Sequence, residues 1–313
     1  MTIGLGYLLP TREGVMQGRP QAAPLLDLAR RAQGLGFQSL WAGDSLLARP
    51  RHDPLTLLAA VAAVAPGMQV GTAILLPVLR NPVLLAQQLA TLDQISSGRL
   101  ILGVGIGADN PAIRAEFVAA GVPFERRLGR TLEALRLCRA LWQGEPVNWE
   151  GRWNLEGQVL GPRPFRSGGP PIWMGTSVPA GFERTGRWFD GFFPLGPDAA
   201  TFASRWRAVQ ASAETAGRSD AVTAAIYLTV STHDDPMEAE RRLDAYLADY
   251  YAPLPVAIMR QVQACFAGPE GALEPWLAAF VTAGARHLVL RFVGDHERHL
   301  EVVADLRQRA SWD

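Results

Sequence analysis

Three short stretches of this chain carry residue types that suit chemistry. In the first, an apolar run from Leu100 breaks into alternating glycines at Gly103-Val104-Gly105-Ile106-Gly107-Ala108, followed by an Asp109-Asn110-Pro111 turn. Glycine has no Cβ, so its amide can lie against a flat ring or an anion where another residue would clash. The dinucleotide fingerprint sets its third glycine further on, inside a helix, and Pro111 stands near that place, so the match to that motif is weak. A tight strand-to-helix turn is the other reading. The second stretch, Gly175-Thr176-Ser177, runs straight into a helical pattern. Free amides, two hydroxyls and the positive end of a helix dipole converge there, which suits a phosphate. Ser and Thr are equally ordinary helix caps. The third stretch holds Asp44, Ser45 and, seven residues after Ser45, His52. A carboxylate at a strand end and an imidazole that titrates near neutral pH are candidates for proton transfer. Each also has a plainer reading as a loop or cap residue.

Other titratable groups read as structural. His233 precedes Asp234-Asp235-Pro236, a capping cluster, and His296 and His299 lie one turn apart in a charged helix. No set of Cys, His and carboxylates has metal-ligand spacing, so no metal is expected. Cys138 and Cys265 are far apart in apolar or helical contexts, which suits two buried free thiols rather than a disulfide framework.

The elements that must position these residues alternate along the chain. The 313 residues are 48% hydrophobic and 19% charged, enough for one large core or two ordinary ones. The formal net charge is zero with no block of like charge, which argues against nucleic acid or an anionic membrane surface as partner. Every basic side chain among the 30 is Arg. No apolar run reaches a membrane span and no basic-then-apolar leader opens the chain, so a cytosolic protein is expected. Strands are expected at residues 3–9, 38–42, 69–76, from 100, and at 172–175, 191–194, 222–231 and 287–292, each followed by a helical pattern. The strands barely alternate in polarity, as in a parallel sheet covered on both faces. Eight such units are what a closed α/β barrel needs, with an open doubly wound sheet as the runner-up. The chain reads as a single domain over 1–313. Residues 145–170, rich in Gly, Trp and Pro, look like a hairpin excursion, and 250–268 look irregular. Trp149 and Trp153 would lid the pocket or anchor that hairpin. The helical run at 55–65 is apolar nearly all round, which suits contact with another subunit in a homodimer.

Several ordered motifs resemble the bacterial luciferase-like monooxygenase family. They are Trp41-Ala42-Gly43-Asp44, Gly71-Thr72-Ala73-Ile74-Leu75-Leu76-Pro77, Asn81-Pro82, Leu92-Asp93-Gln94-Ile95-Ser96-Ser97-Gly98-Arg99-Leu100 with Gly103-Val104-Gly105, Glu150-Gly151-Arg152, and Pro170-Pro171-Ile172-Trp173-Met174-Gly175. The resemblance implies an eightfold (TIM) barrel holding flavin mononucleotide (FMN), or the deazaflavin coenzyme F420, at its mouth. It implies a third-strand bulge beside Thr72 with a non-proline cis peptide at Ala73–Ile74 behind the ring. It further implies Ile106, Gly107 and Ala108 along the ring and ribityl chain, and Gly175, Thr176 and Ser177 on the phosphate. Two departures stand out. Ser45 takes the place where relatives often carry His, leaving His52 to reach back. Ile106 stands where luciferase has an arginine, so a cation must come from Arg291 or Arg163. The resemblance therefore implies a flavin-dependent oxidoreductase, first of all a monooxygenase using reduced FMN and oxygen on a small organic substrate, with Asp44 and His52 handling protons and a separate flavin reductase as partner. The alternatives are an F420-dependent dehydrogenase or reductase, and a flavin-binding protein without turnover. A phosphate-binding lyase or isomerase is disfavoured because no lysine exists for a Schiff base.

Overall fold

A computed structural model describes residues 3–309. Eight parallel strands close into a ring: β1 (Gly4–Leu8), β2 (Ser39–Ala42), β3 (Gln69–Thr72), β4 (Leu100–Val104), β7 (Ile172–Met174), β8 (Gly191–Phe192), β9 (Thr223–Thr232) and β11 (His287–Phe292), which pairs back onto β1. Strands β5 (Val147–Trp149) and β6 (Leu155–Gln158) form the expected antiparallel hairpin within the excursion. Both Trp149 and Trp153 pack against the outer core, and Glu133 accepts the Arg152 amide at 2.8 Å, so these indoles anchor the hairpin.

The stretch at 250–268 is more regular than its sequence suggests. It holds a helix, Val256–Val262, and strand β10 (Ala264–Gly268). Strand β8 has only two residues and pairs with Thr223 and Ala224, so β10 takes up the remaining edge of β9 from Leu228 to Thr232. Its residues Ala-Cys-Phe-Ala-Gly show no strong β pattern, and an edge left open by a neighbouring strand cannot be read from them.

The outer core lies between the strands and the helices, and a smaller one fills the ring. Trp41, Trp173 and His287 form the floor, with centroids 5.4 Å apart for the indole pair and 5.6 and 5.2 Å from each indole to the imidazole. Each ring is admitted by glycines on adjoining strands: a Cβ on Gly6 or Gly71 would overlap Trp41, one on Gly191 would overlap Trp173, and one on Gly4 would overlap His287. Large rings beside missing side chains give the interior its close packing. Ser39 Oγ lies 2.7 Å from both Trp41 Nε1 and His287 Nε2. The indole can only donate, so the Ser39 hydroxyl is free to donate to the imidazole. Burial pushes His287 down to about 4.

In the helix Pro54–Val64, Leu55, Leu57, Leu58, Val61 and Ala62 are buried within the chain, while Thr56, Ala60 and Ala63 face outward. Most of its apolar surface is therefore covered by the chain itself. No helix among the described residues is long and apolar enough to cross a membrane.

Candidate active site

The C-terminal ends of the strands gather at one mouth, where barrels of this kind place their sites. Just past β3 the Ala73–Ile74 peptide is cis. Thr72 Oγ1 donates to the Gly103 carbonyl at 2.7 Å, and the Leu75 amide donates to the same oxygen at 2.8 Å. Gly105 N then donates to Leu75 O at 2.9 Å, so the chain leaves the ladder at Ala73 and rejoins it at Leu75. A Cβ on Gly103 would overlap the Thr72 carbonyl oxygen, and one on Gly105 would overlap Ile74 Cδ1. These two glycines therefore make room for the bulge of the neighbouring strand, and the bare backbone read from the sequence is used within the protein. Gly107 adopts φ +81° and faces Phe117. Ile106 packs against the outer core and Ala108 is exposed. Ala73 and Ile74 are half-buried and rest on the interior cluster, so the bulge presents a small apolar platform toward the mouth.

Asp44 sits beside this platform, and its polar atoms, like those of His52 further along the same loop, are engaged. The Asp44 side chain is 1% exposed. Its Oδ2 accepts from Leu76 N at 2.9 Å and Arg80 Nη1 at 2.6 Å, and its Oδ1 accepts from Arg80 Nη2 at 3.0 Å. Arg80 also reaches Asp53, the cap of the helix Pro54–Val64. His52 Nδ1 faces the Thr11 carbonyl at 3.2 Å and Nε2 faces the Pro20 carbonyl at 2.8 Å. In this arrangement both residues tie loops together, and neither keeps a polar atom for a substrate. Ser45 is likewise anchored: its hydroxyl donates to Glu116 Oε1 at 3.0 Å and accepts the Arg49 amide at 2.9 Å. Glu116, fully buried, also takes the Leu46 and Leu47 amides. That carboxylate went unrecognised in the sequence, although a Glu two residues after Arg114 and one before Phe117 in an otherwise apolar helix is a signal of sorts.

The second stretch, at Gly175–Ser177, forms an open cradle. Gly175 N donates to Val104 O at 2.8 Å, and Thr176 is seated against Gly181, where a Cβ would overlap its hydroxyl. Ser177 is exposed. The helix Pro179–Trp188 begins at Val178 with no side chain capping it, whereas Asp53, Asn81, Asn110, Asp198 and Asp235 cap other helices of the ring. An anion at Thr176 and Ser177 would complete that terminus. The platform and the cradle thus fit a flat ring with a phosphate tail.

The largest feature of the mouth is a cluster of arginine and tyrosine. Arg291, 1% exposed, has its guanidinium carbon 5.3, 5.1, 4.7 and 5.2 Å from the ring centroids of Tyr227, Tyr246, Tyr250 and Tyr251. It donates to Tyr251 Oη at 2.7 Å and to Thr229 Oγ1 and Gln263 Oε1, both at 2.8 Å. Arg12 and Arg51 also approach the Tyr250 ring, and Arg49 lies 4.5 Å over Tyr251. Burial pushes the Tyr227 and Tyr246 phenols well up, so both stay protonated. The sequence offered Arg291 as a cation, but not its meeting with Tyr250 and Tyr251. Arg163, the other cation considered, instead donates to Gly144 O at 2.8 Å on the excursion.

A family model described as luciferase-like monooxygenase matches residues 3–310. The chain belongs to this family. One curated relative of this luciferase-like chain is an F420-dependent glucose-6-phosphate dehydrogenase of Nocardia farcinica, 29% identical over 315 residues and covering 91% of each chain. Among solved structures, an F420-dependent secondary alcohol dehydrogenase in complex with an F420-acetone adduct gives a TM-score of 0.83 at 19% identity, covering 98% of both chains. A long-chain alkane monooxygenase gives 0.79 at 17% identity, covering 99% of this chain and 92% of that one. These two likenesses are of fold.

Proposed function

We propose that this luciferase-like protein is an F420-dependent dehydrogenase or reductase, in which the deazaflavin exchanges a hydride with a small organic substrate when bound. The observation that carries the geometry is the pairing of the Ala73–Ile74 platform with the uncapped helix terminus beyond Thr176 and Ser177. The choice of deazaflavin over FMN is supported by the dehydrogenase relative that matches 91% of the chain. In this reading Ala73 and Ile74 would hold the ring, and Gly175, Thr176 and Ser177 would hold the phosphate. Trp41, Trp173 and Phe193 close the barrel beneath Ala73 and Ile74 and would keep water from a ring held there. Asp44 acts as a positioning residue, locking Leu76 and Arg80 so that the platform keeps its place. The proton is assigned to the Tyr250 hydroxyl, which receives Arg51 Nη2 at 3.1 Å and can donate its own hydrogen to a substrate oxygen.

The test is a titration of F420 and FMN against the purified protein, followed by fluorescence, with anaerobic turnover assays on the tighter binder. Preference for F420 with hydride transfer to or from a substrate supports the reading. Preference for FMN, with oxygen consumption when a flavin reductase is supplied, overturns it in favour of a monooxygenase. Tight binding without turnover would make it a flavin carrier.

A further inference from the structure

The cationic cluster at the mouth is not balanced by the chain. Arg80 has Asp44 and Asp53, but Arg12, Arg49, Arg51 and Arg291 make no ion pair among the described residues. Glu13 borders the cluster and accepts the Tyr246 hydroxyl at 2.5 Å. The four cations meet at Tyr250 and Tyr251, whose ring faces solvate charge but supply no counterion. Gathering like charges in a partly dehydrated site is unfavourable unless something of opposite sign completes it. Donors are left over as well. Nε of Arg291 and Nε2 of Gln263 have no partner, although both residues are only 1% exposed. The Arg49 guanidinium contacts the Tyr251 face and has no hydrogen-bond partner among the described residues. Arg51 Nη1 lies against the backbone of Gly43, where a Cβ would overlap it, and that same Cβ position is 3.4 Å from the Ala73 carbonyl oxygen. The cluster therefore adjoins the platform, and it shares no residue with the cradle at Thr176 and Ser177.

We infer that the mouth holds an oxyanion between Arg49 and Arg51, with Arg291 behind them, and that the substrate is an organic anion bearing a carboxylate, phosphate or sulfonate. A planar guanidinium pair suits such oxygens because each fork presents parallel N–H donors. That the anion belongs to a redox substrate rests on the proposed function; the anion site itself does not.

The test is calorimetric titration of inorganic phosphate and methanesulfonate into the apo-protein and into protein saturated with F420. Saturable binding is expected in both, weakened about tenfold, or about 1.4 kcal/mol, by Arg49→Gln. Ser177→Glu, which places a negative charge in the cradle, should leave that binding in place. A melt by circular dichroism checks that Arg49→Gln folds; Arg49 donates no side-chain hydrogen bond, so it should. The inference is overturned if neither anion binds, or if Ser177→Glu abolishes binding while Arg49→Gln does not. Loss of binding in the F420-saturated protein would give the site to the cofactor's own tail and overturn the assignment to substrate. Binding that depends on Arg49 in a protein that takes no flavin would leave the anion site standing and remove only the cofactor reading.

Discussion

His287 should make this protein acid-sensitive in a defined window. In the folded state burial holds its imidazole at about 4, whereas an unfolded chain titrates near 6.5. Between those values the unfolded state binds more protons, so stability falls as pH drops through 6.5 and levels off below 4. The full difference is roughly 2.5 pH units, or about 3 kcal/mol, of which about 2 kcal/mol is lost by pH 5. His296, also held at about 4 mainly by burial, contributes a second loss of the same sign and window. Urea unfolding at intervals from pH 7.5 to 4 measures the slope directly. His287→Gln should lower stability at pH 7, because the ring leaves a void against Gly4, yet flatten the slope by one proton's worth across the window. A variant with the wild-type slope, or a residue-287 imidazole resonance titrating near 6.5, would refute the buried neutral histidine.

Other outcomes follow from the site. Asp44→Ala leaves Arg80 without its principal partner and Leu76 N without an acceptor, and should cost about 3–5 kcal/mol in urea unfolding while weakening flavin binding. Gly103→Ala should destabilise more than Gly105→Ala, by about 3 against about 1 kcal/mol, since the first methyl meets the Thr72 backbone and the second meets the movable end of Ile74; thermal melts decide the order. Tyr250→Phe should lower kcat about a hundredfold with little change in flavin affinity, measured by stopped-flow hydride transfer. Burial pushes the Cys138 thiol up to about 12, so in the native protein it should resist thiol reagents that label it after unfolding.

The barrel was legible because its evidence is local and repeated: apolar strands, each followed by a helical pattern, recur often enough to imply closure. The Ala73–Ile74 platform and the Thr176 cradle were legible through motif order. What the sequence hid was mostly long-range. Asp44 looks like a free carboxylate until Arg80 folds back onto it, and His52 looks available until the carbonyls of Thr11 and Pro20 close around it. The glycines of β4 illustrate a different difficulty. The absence of a side chain shows that something comes close, but not whether that is a ligand or, as for Gly103 and Gly105, the next strand. Arg49, Arg51, Tyr250 and Arg291 come from three distant segments, and no spacing rule joins them.

The barrel floor carries a lesson for redesign. Because Trp41 fits only where Gly6 and Gly71 lack side chains, ring and gap are a single unit shared by three strands. Enlarging either glycine alone would collide with the indole, and shrinking the indole alone would open an empty chamber. Paired exchanges, with a smaller residue at 41 and alanine at 71, would instead move the chamber's base and offer a way to deepen the pocket for longer substrates while the rim keeps its charge.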